Sequence, residues 1–182
     1  ASPPAVIQSS AIGFYGSRGN EQLDESSPAG RGFLAQVCVR CESFAEQFEK
    51  LGSRCAVIRT AMVLSPEGGA LAEMKKPYRY FFGGYVGSGS RWVSWIHIAD
   101  QVSAIRFLIE NEHLSGPFNL TSPQPIMMSR FNKELGDAMG RPGWVRIPGC
   151  AAKLAMGQMA DELLLVSQKV IPARLQKEGF EF

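Results

Sequence analysis

The strongest constraint in this chain is a helical pattern that runs directly into a strand pattern. From Phe33 to Leu51 the apolar residues Leu34, Val37, Cys38, Cys41, Phe44, Ala45, Phe48 and Leu51 recur at intervals of three and four, and Gly52 follows where a helix would end. The next segment, CAVIRTAMVL at 55–64, is almost continuously apolar, as a strand covered on both faces must be. A shorter apolar run, AVIQSS at 5–10, emerges after Pro3 and Pro4. Strand, long helix and strand in that order predict a parallel pair joined by a right-handed crossover in an α/β sheet. Ligands of such sheets bind at the carboxyl ends of the strands, so SSAIGFYG and LSPEGG are the places to look.

The 182 residues, 45% of them hydrophobic, suffice for one packed core. Net charge is +2 with both signs dispersed, and no run of lysines or arginines is present to neutralise a phosphate backbone or an anionic bilayer. Nucleic acid and membrane are therefore not expected partners. No apolar stretch approaches the roughly 18 residues of a membrane span, and ASPPAVIQ lacks the basic flank of a signal peptide, so the expected location is the cytoplasm. Cys38 and Cys41 form a C-x-x-C, but inside the helical pattern and not at the strand-to-helix turn of a redox pair. No second pair and only two histidines accompany them, so no metal site is expected.

Beyond residue 76 the elements shorten. PYRYFFGGYVGSGSRW, 77–92, has loop punctuation without periodicity, a binding-loop composition. VSWIHI predicts a strand, followed by a helix through Val102, Ile105, Phe107, Leu108 and Ile109. Asp100 is its candidate cap, with His97 bracing it. GPFNLTS predicts a strand, Ser129 caps a helix ending at Gly140, VRIP is a strand, MADELLLVSQKV a helix, and Pro172 starts a last helix ending at Gly179.

Taken in order, SSAIGFYG, RTAMVLSPEGGAL, GSGSRWVSWIHIAD, GPFNLTSPQP and ADELLLVSQKVIPARLQKEGFEF resemble the NAD(P)-dependent epimerase/dehydratase-like branch of the short-chain dehydrogenase/reductase superfamily. Within it they resemble most the atypical group of nucleoside-diphosphate-sugar epimerases. The resemblance implies an α/β fold: the C-terminal part of a Rossmann-like parallel sheet with a small α+β substrate lobe. Residues 1–75 would supply the second half of the NAD(P)-binding domain, and 76–182 the substrate-binding lobe with elements returning to the sheet. It implies NADP or NAD as cofactor, NADP being favoured, and a small-molecule substrate of the nucleotide-sugar kind. No G-x-G-x-x-G occurs, and Gly83, Gly84, Gly87 and Gly89 have a different spacing. The pyrophosphate site is thus expected in roughly a hundred residues that precede this sequence in the family pattern, and a final helix after GFEF. On that expectation this chain by itself binds NAD(P) weakly or not at all, and its open sheet edge is covered by the N-terminal half or by another chain.

Hydride-transfer enzymes of this superfamily combine a strand-end Ser or Thr with a Y-x-x-x-K, whose lysine lowers the phenol's pKa so that it can shuttle a proton. Ser10 matches the serine. None of Tyr15, Tyr78, Tyr80 and Tyr85 has a lysine four residues on. With Glu42 as anchor, Leu34 stands at the tyrosine position and Cys38 at the lysine position. Ser10 and Tyr15 are the catalytic candidates, Tyr15 being equally readable as a packed, loop-bracing residue. The resemblance puts Ser9, Ser10, Ala11, Thr60, Ala61 and Val63 at the cofactor. It puts Met62, Gly83, Gly84, Arg91, Trp92 and Trp95 at the substrate, Met62 replacing a customary asparagine. Arg91 would clamp a diphosphate or else be a solvated surface residue. Trp92 and Trp95 would stack on a ring, or Trp95 would be strand core. Three readings follow: an NAD(P)-dependent oxidoreductase or epimerase, a catalytically silent NAD(P)-binding or regulatory protein, and an interaction module using the aromatic 78–95 region.

Overall fold

The expected parallel pair forms the centre of the molecule. The structure, a computed structural model, describes residues 5–157 and 164–182. Strand β1 (Ala5–Ala11) pairs in parallel with β3 (Arg54–Thr60), Ser10 opposite Arg59 and Ala11 opposite Thr60. On its other side β3 pairs in parallel with β8 (Gly116–Leu120), giving the order β1-β3-β8. Helix α1 (Phe33–Lys50) fills the crossover and buries Ala35, Cys38 and Ala45. The terminating glycine predicted for it is in place, with Gly52 at φ +83°.

The two sheet faces hold different cores. Ala56, Ile58, Phe118 and Leu120 pack with Ala104 and Leu108 of helix α3 (Ile98–Glu110) and with Leu175 of α6 (Ala173–Lys177). Alternation along β3 turns Cys55 and Val57 to the other face, where they meet Ala45 of α1. Phe118 is fully buried, a contribution of about 1.5–3 kcal/mol.

The apolar run 55–64 is two strands. It breaks at Ala61, whose N–H bonds to Leu120 O, and Met62 then turns to Ser94 O. After the break β4 (Met62–Leu64) leaves the main sheet and pairs in parallel with β7 (Trp95–His97). VSWIHI is likewise split: β6 (Trp92–Val93) pairs antiparallel with β9 (Ile126–Met127), and Ser94 separates it from β7. The chain changes partners at each break, which an unbroken hydropathy pattern does not register.

Other boundaries differ for local reasons. The 77–92 stretch contains the last turn of α2 (Gly69–Arg79), then β5 (Gly84–Val86) and the start of β6. Strands of two or three residues carry too little alternation to show a period. Helix α3 starts at Ile98, and its cap is His97, whose Nδ1 accepts from Ala99 N at 3.2 Å; Asp100 lies in the first turn. Ser129 is inside α4 (Met128–Met139), which has no side-chain cap but ends as expected at Gly140 in the left-handed region. β10 (Val145–Ile147) pairs with β5 and leads into α5 (Gly149–Met156), an element the sequence did not suggest. The helix expected over 159–170 begins outside the described residues, and its end is not helical: Lys169–Val170 is strand β11, paired with β2 (Gln22–Leu23).

Candidate functional site

A cleft of about 290 Å³ opens where β1 and β3 end. Ala11, Thr60, Ala61 and Met62 form its sheet side, Arg91 and Trp92 its lobe side, and Ile12, Leu34, Val93 and Met128 its apolar walls. The 3-10 turn Ile12–Tyr15 after β1 packs closely on α1. A methyl group at Gly13 would sit 3.6 Å from both Leu34 Cβ and Cys38 Sγ. Leu34 and Cys38 thus flank this turn with an apolar group and a thiol.

The two catalytic candidates point into the protein's own network. Ser10 Oγ donates to Glu42 Oε1 at 2.8 Å. That carboxylate is clamped by Arg59, with Nε to Oε1 at 2.9 Å and Nη2 to Oε2 at 2.8 Å. Arg59 Nη1 also donates to Tyr15 OH at 2.9 Å, and Tyr15 OH donates to Asn119 Oδ1 at 2.7 Å. Arg59 further lies over the Phe14 ring, 3.5 Å from its centroid. Tyr15 is fully buried and does not line the cleft. Burial raises its pKa, and the attraction of the Arg59 guanidinium only partly offsets this. The phenol is therefore a poor proton shuttle near neutrality, and the loop-bracing role accounts for every polar contact it makes.

The cofactor and substrate candidates divide. Ala11, Thr60, Ala61, Met62, Arg91 and Trp92 are brought together in the cleft. Ser9 is exposed on β1, Val63 packs against the main core, and Trp95, half-buried, pairs with Met62 in the β4–β7 ladder; none of these three lines the cleft. Gly83 abuts the Tyr78 ring and Gly84 the Val145 carbonyl, so both are there for close packing in the lobe. Arg91 donates from Nη1 to Val86 O at 2.7 Å, and burial lowers its pKa. Among the described residues it has no carboxylate partner. The aromatic run is also divided: Tyr78 and Tyr85 are buried, while Tyr80, Phe81 and Phe82 are exposed.

Four polar residues of the site were not anticipated. Arg59 reads as part of an apolar strand, and only its spacing from Glu42 across the crossover connects them. Gln101, buried on α3, donates to Thr60 Oγ1 at 3.2 Å. Ser94 and Gln168 fasten the segment 166–170 across the cleft: Ser94 Oγ donates to Gln168 O at 3.0 Å and accepts from Val170 N at 2.9 Å. A helical expectation for 159–170 hid this. Among the described residues no group of three or more His, Cys, Asp or Glu could hold a metal, and no helix is long and apolar enough to cross a membrane.

Comparison with known proteins agrees with this architecture. Residues 147–182 match a family described as a domain of unknown function, DUF1731. The chain is 41% identical over 177 residues to an epimerase family protein of Mycobacterium bovis, covering 97% of the chain and 59% of that relative. It is 43% identical over 183 residues to an epimerase family protein of Staphylococcus aureus, covering 99% and 60%. Among solved structures it is similar to the human epimerase family protein SDR39U1 (isoform 2) with NADPH, with TM-score 0.86, 28% identity and coverage of 99% and 61%. It is also similar to the nucleoside-diphosphate sugar epimerase from Corynebacterium glutamicum, with TM-score 0.80, 35% identity and coverage of 98% and 34%. The chain thus spans about three fifths of the curated relatives it matches.

Proposed function

Because the chain belongs to the epimerase family of short-chain dehydrogenase/reductase-type proteins, we propose that it forms the nicotinamide end and substrate half of an NAD(P)-dependent oxidoreductase or epimerase site. Residues 1–75 are the second half of the cofactor domain in this reading, and 76–182 the substrate lobe. The observation that carries it is the juxtaposition of strand ends, apolar walls and a half-buried arginine in a single cleft.

The nicotinamide group supplies hydride acceptance and donation at a carbinol or carbonyl carbon. Ala11, Thr60 and Ala61 hold its carboxamide end through the strand termini, and Ile12 and Leu34 give it an apolar wall that excludes water. Arg91 binds the anionic part of a nucleotide-linked polyol, a guanidinium being suited to paired oxygens. Trp92 stacks beside it. NADP is preferred over NAD, in keeping with the human relative's structure with NADPH. The free edge of β1 and the exposed face of α1 are covered by the remaining part of the family's fold. In this reading the protein works in the cytoplasm.

A second reading has a specific observation behind it. Both hydroxyls that could manage a proton, on Ser10 and Tyr15, are bonded to internal partners, which favours a catalytically silent NAD(P)-binding or regulatory protein. One experiment separates the two: a protein spanning the full length of the relatives is titrated with NADPH and NADH by tryptophan fluorescence, then assayed for hydride exchange on a carbonyl and sugar-nucleotide panel. Binding with turnover supports the enzyme, binding without turnover the silent protein. Absence of binding overturns both.

A further inference from the structure

Gln168 is 7% exposed and lines the cleft, directly before β11. Its Nε2 donates to Ile12 O at 2.8 Å and to Gly16 O at 3.1 Å, so both amide protons are spent on the turn after β1. The amide cannot be reversed, because that would set its oxygen against two carbonyl oxygens. Its own backbone is pinned as well, N to Trp92 O at 3.1 Å and O to Ser94 Oγ at 3.0 Å. Every donor is therefore fixed, while Oε1 receives no hydrogen bond from any described residue. A rigid carbonyl oxygen with no donor of its own, in a side chain otherwise withdrawn from solvent, is a group waiting for a ligand's hydrogen.

The surroundings define that ligand. Gln168 bonds to the backbone of Trp92, the neighbour of Arg91, so the acceptor and the guanidinium belong to the same wall. Near them Ile12, Leu34, Val93 and Val166 are apolar, and the Ser94 hydroxyl is already bonded to Gln168 O and Val170 N. We infer that Gln168 is a specificity-determining residue that accepts a hydrogen bond from a hydroxyl of a polyol substrate whose anionic group lies on Arg91. This rests on the epimerase reading above and names which part of the molecule reads the sugar.

A ligand that lacks a donor for this oxygen forgoes the bond. The test is calorimetric titration of a protein spanning the full length of the relatives with UDP-glucose and with UDP, for the unaltered protein, Gln168→Met, Gln168→Glu and Arg91→Gln. The unaltered protein should prefer UDP-glucose about tenfold, the value of one hydrogen bond to an otherwise unpaired group. Gln168→Met should erase that preference while leaving the Kd for UDP unchanged, and Arg91→Gln should weaken both ligands alike. Gln168→Glu, which sets a carboxylate oxygen against the Ile12 and Gly16 carbonyls, should release the turn and weaken both ligands alike, separating anchoring from recognition. Equal weakening of both ligands by Gln168→Met, or a preference that survives it, would overturn the assignment and leave the epimerase reading standing. Failure of the folded, unaltered protein to bind either ligand would overturn both.

Discussion

Ser10 and Arg59 lie opposite each other in the β1–β3 register and meet on one oxygen: Glu42 Oε1 accepts from Ser10 Oγ at 2.8 Å and from Arg59 Nε at 2.9 Å. The ion pair is buried, with side-chain exposures of 5% for Arg59 and 14% for Glu42. Removing one partner strands the other charge. Arg59→Met should therefore lower stability by about 3–5 kcal/mol in urea unfolding. The double variant Glu42→Leu/Arg59→Met should recover most of the loss. A double variant as unstable as Arg59→Met would mean that Arg59 acts through its contacts to Tyr15 and Phe14 instead.

Glu25 gives a pH dependence of defined sign. Its oxygens accept from Asn119 N at 3.0 Å and Arg174 N at 3.2 Å, yet burial outweighs these bonds and raises its pKa above 4.5. The folded state thus binds a proton more tightly than the unfolded one. The contribution is fully present below about pH 4.5, the unfolded value, and is lost as pH rises through the folded pKa. Relative to Glu25→Gln, whose side chain does not titrate, the unaltered protein should lose stability as pH climbs from 4.5. Urea midpoints measured for both between pH 4 and 8 test this, and a difference that is flat or grows with pH contradicts it.

Gln101 presents the opposite case to a satisfied buried amide. Its Oε1 is buried without a partner, although Nε2 reaches Thr60 Oγ1. Replacing it by an apolar side chain of similar length removes an unpaired carbonyl at the loss of one bond to an uncharged hydroxyl. Gln101→Met should change stability by less than about 1 kcal/mol in either direction. A loss of more than about 2 kcal/mol in thermal unfolding would show that the oxygen has a partner in solution.

What the sequence made legible follows from what periodicity can carry. Helix α1 and the strands β1, β3 and β8 are long enough for their apolar spacing to survive, so the sheet and its order of elements could be read directly. Six of the proposed cleft residues, from Ala11 to Trp92, come together because strand ends in such a sheet converge. Gly83 and Gly84 lie against Tyr78 and Val145 and outside the cleft lining, since glycine marks a close approach to another part of the chain as readily as to a ligand. Gln168 was invisible because its role depends on bonds to Ile12 and Gly16, more than 150 residues away. Short strands, and side chains defined by partners at that distance, leave no periodic trace.

Gly84 is better tested as a packing residue than as a ligand contact. A methyl group there would collide with the Val145 carbonyl, across the β5–β10 pair. Neither backbone can move without breaking the pair. Gly84→Ala should destabilise by about 1–3 kcal/mol and loosen amide protection of residues 84–86 and 145–147 in hydrogen exchange. Unchanged protection in both strands would rule out this role.

The sheet edge makes the last prediction. Among the described residues β1 pairs on one side only, with β3, and the neighbouring α1 exposes Val39 at 44%, Phe44 at 53% and Phe48 at 37%. Helix α3 adds Val102 and Ile109, also exposed. An unpaired edge beside apolar helix faces is a template for association, and the remaining part of the family's fold is what we propose covers it. The 182-residue chain should therefore self-associate, and Phe44→Glu together with Phe48→Glu should shift it towards monomer without changing its unfolding midpoint by more than about 0.5 kcal/mol equivalent, as expected for exposed positions. Sedimentation velocity reads the first outcome and urea unfolding the second. A chain that is monomeric at high concentration, with those residues intact, would show that this face is content in water.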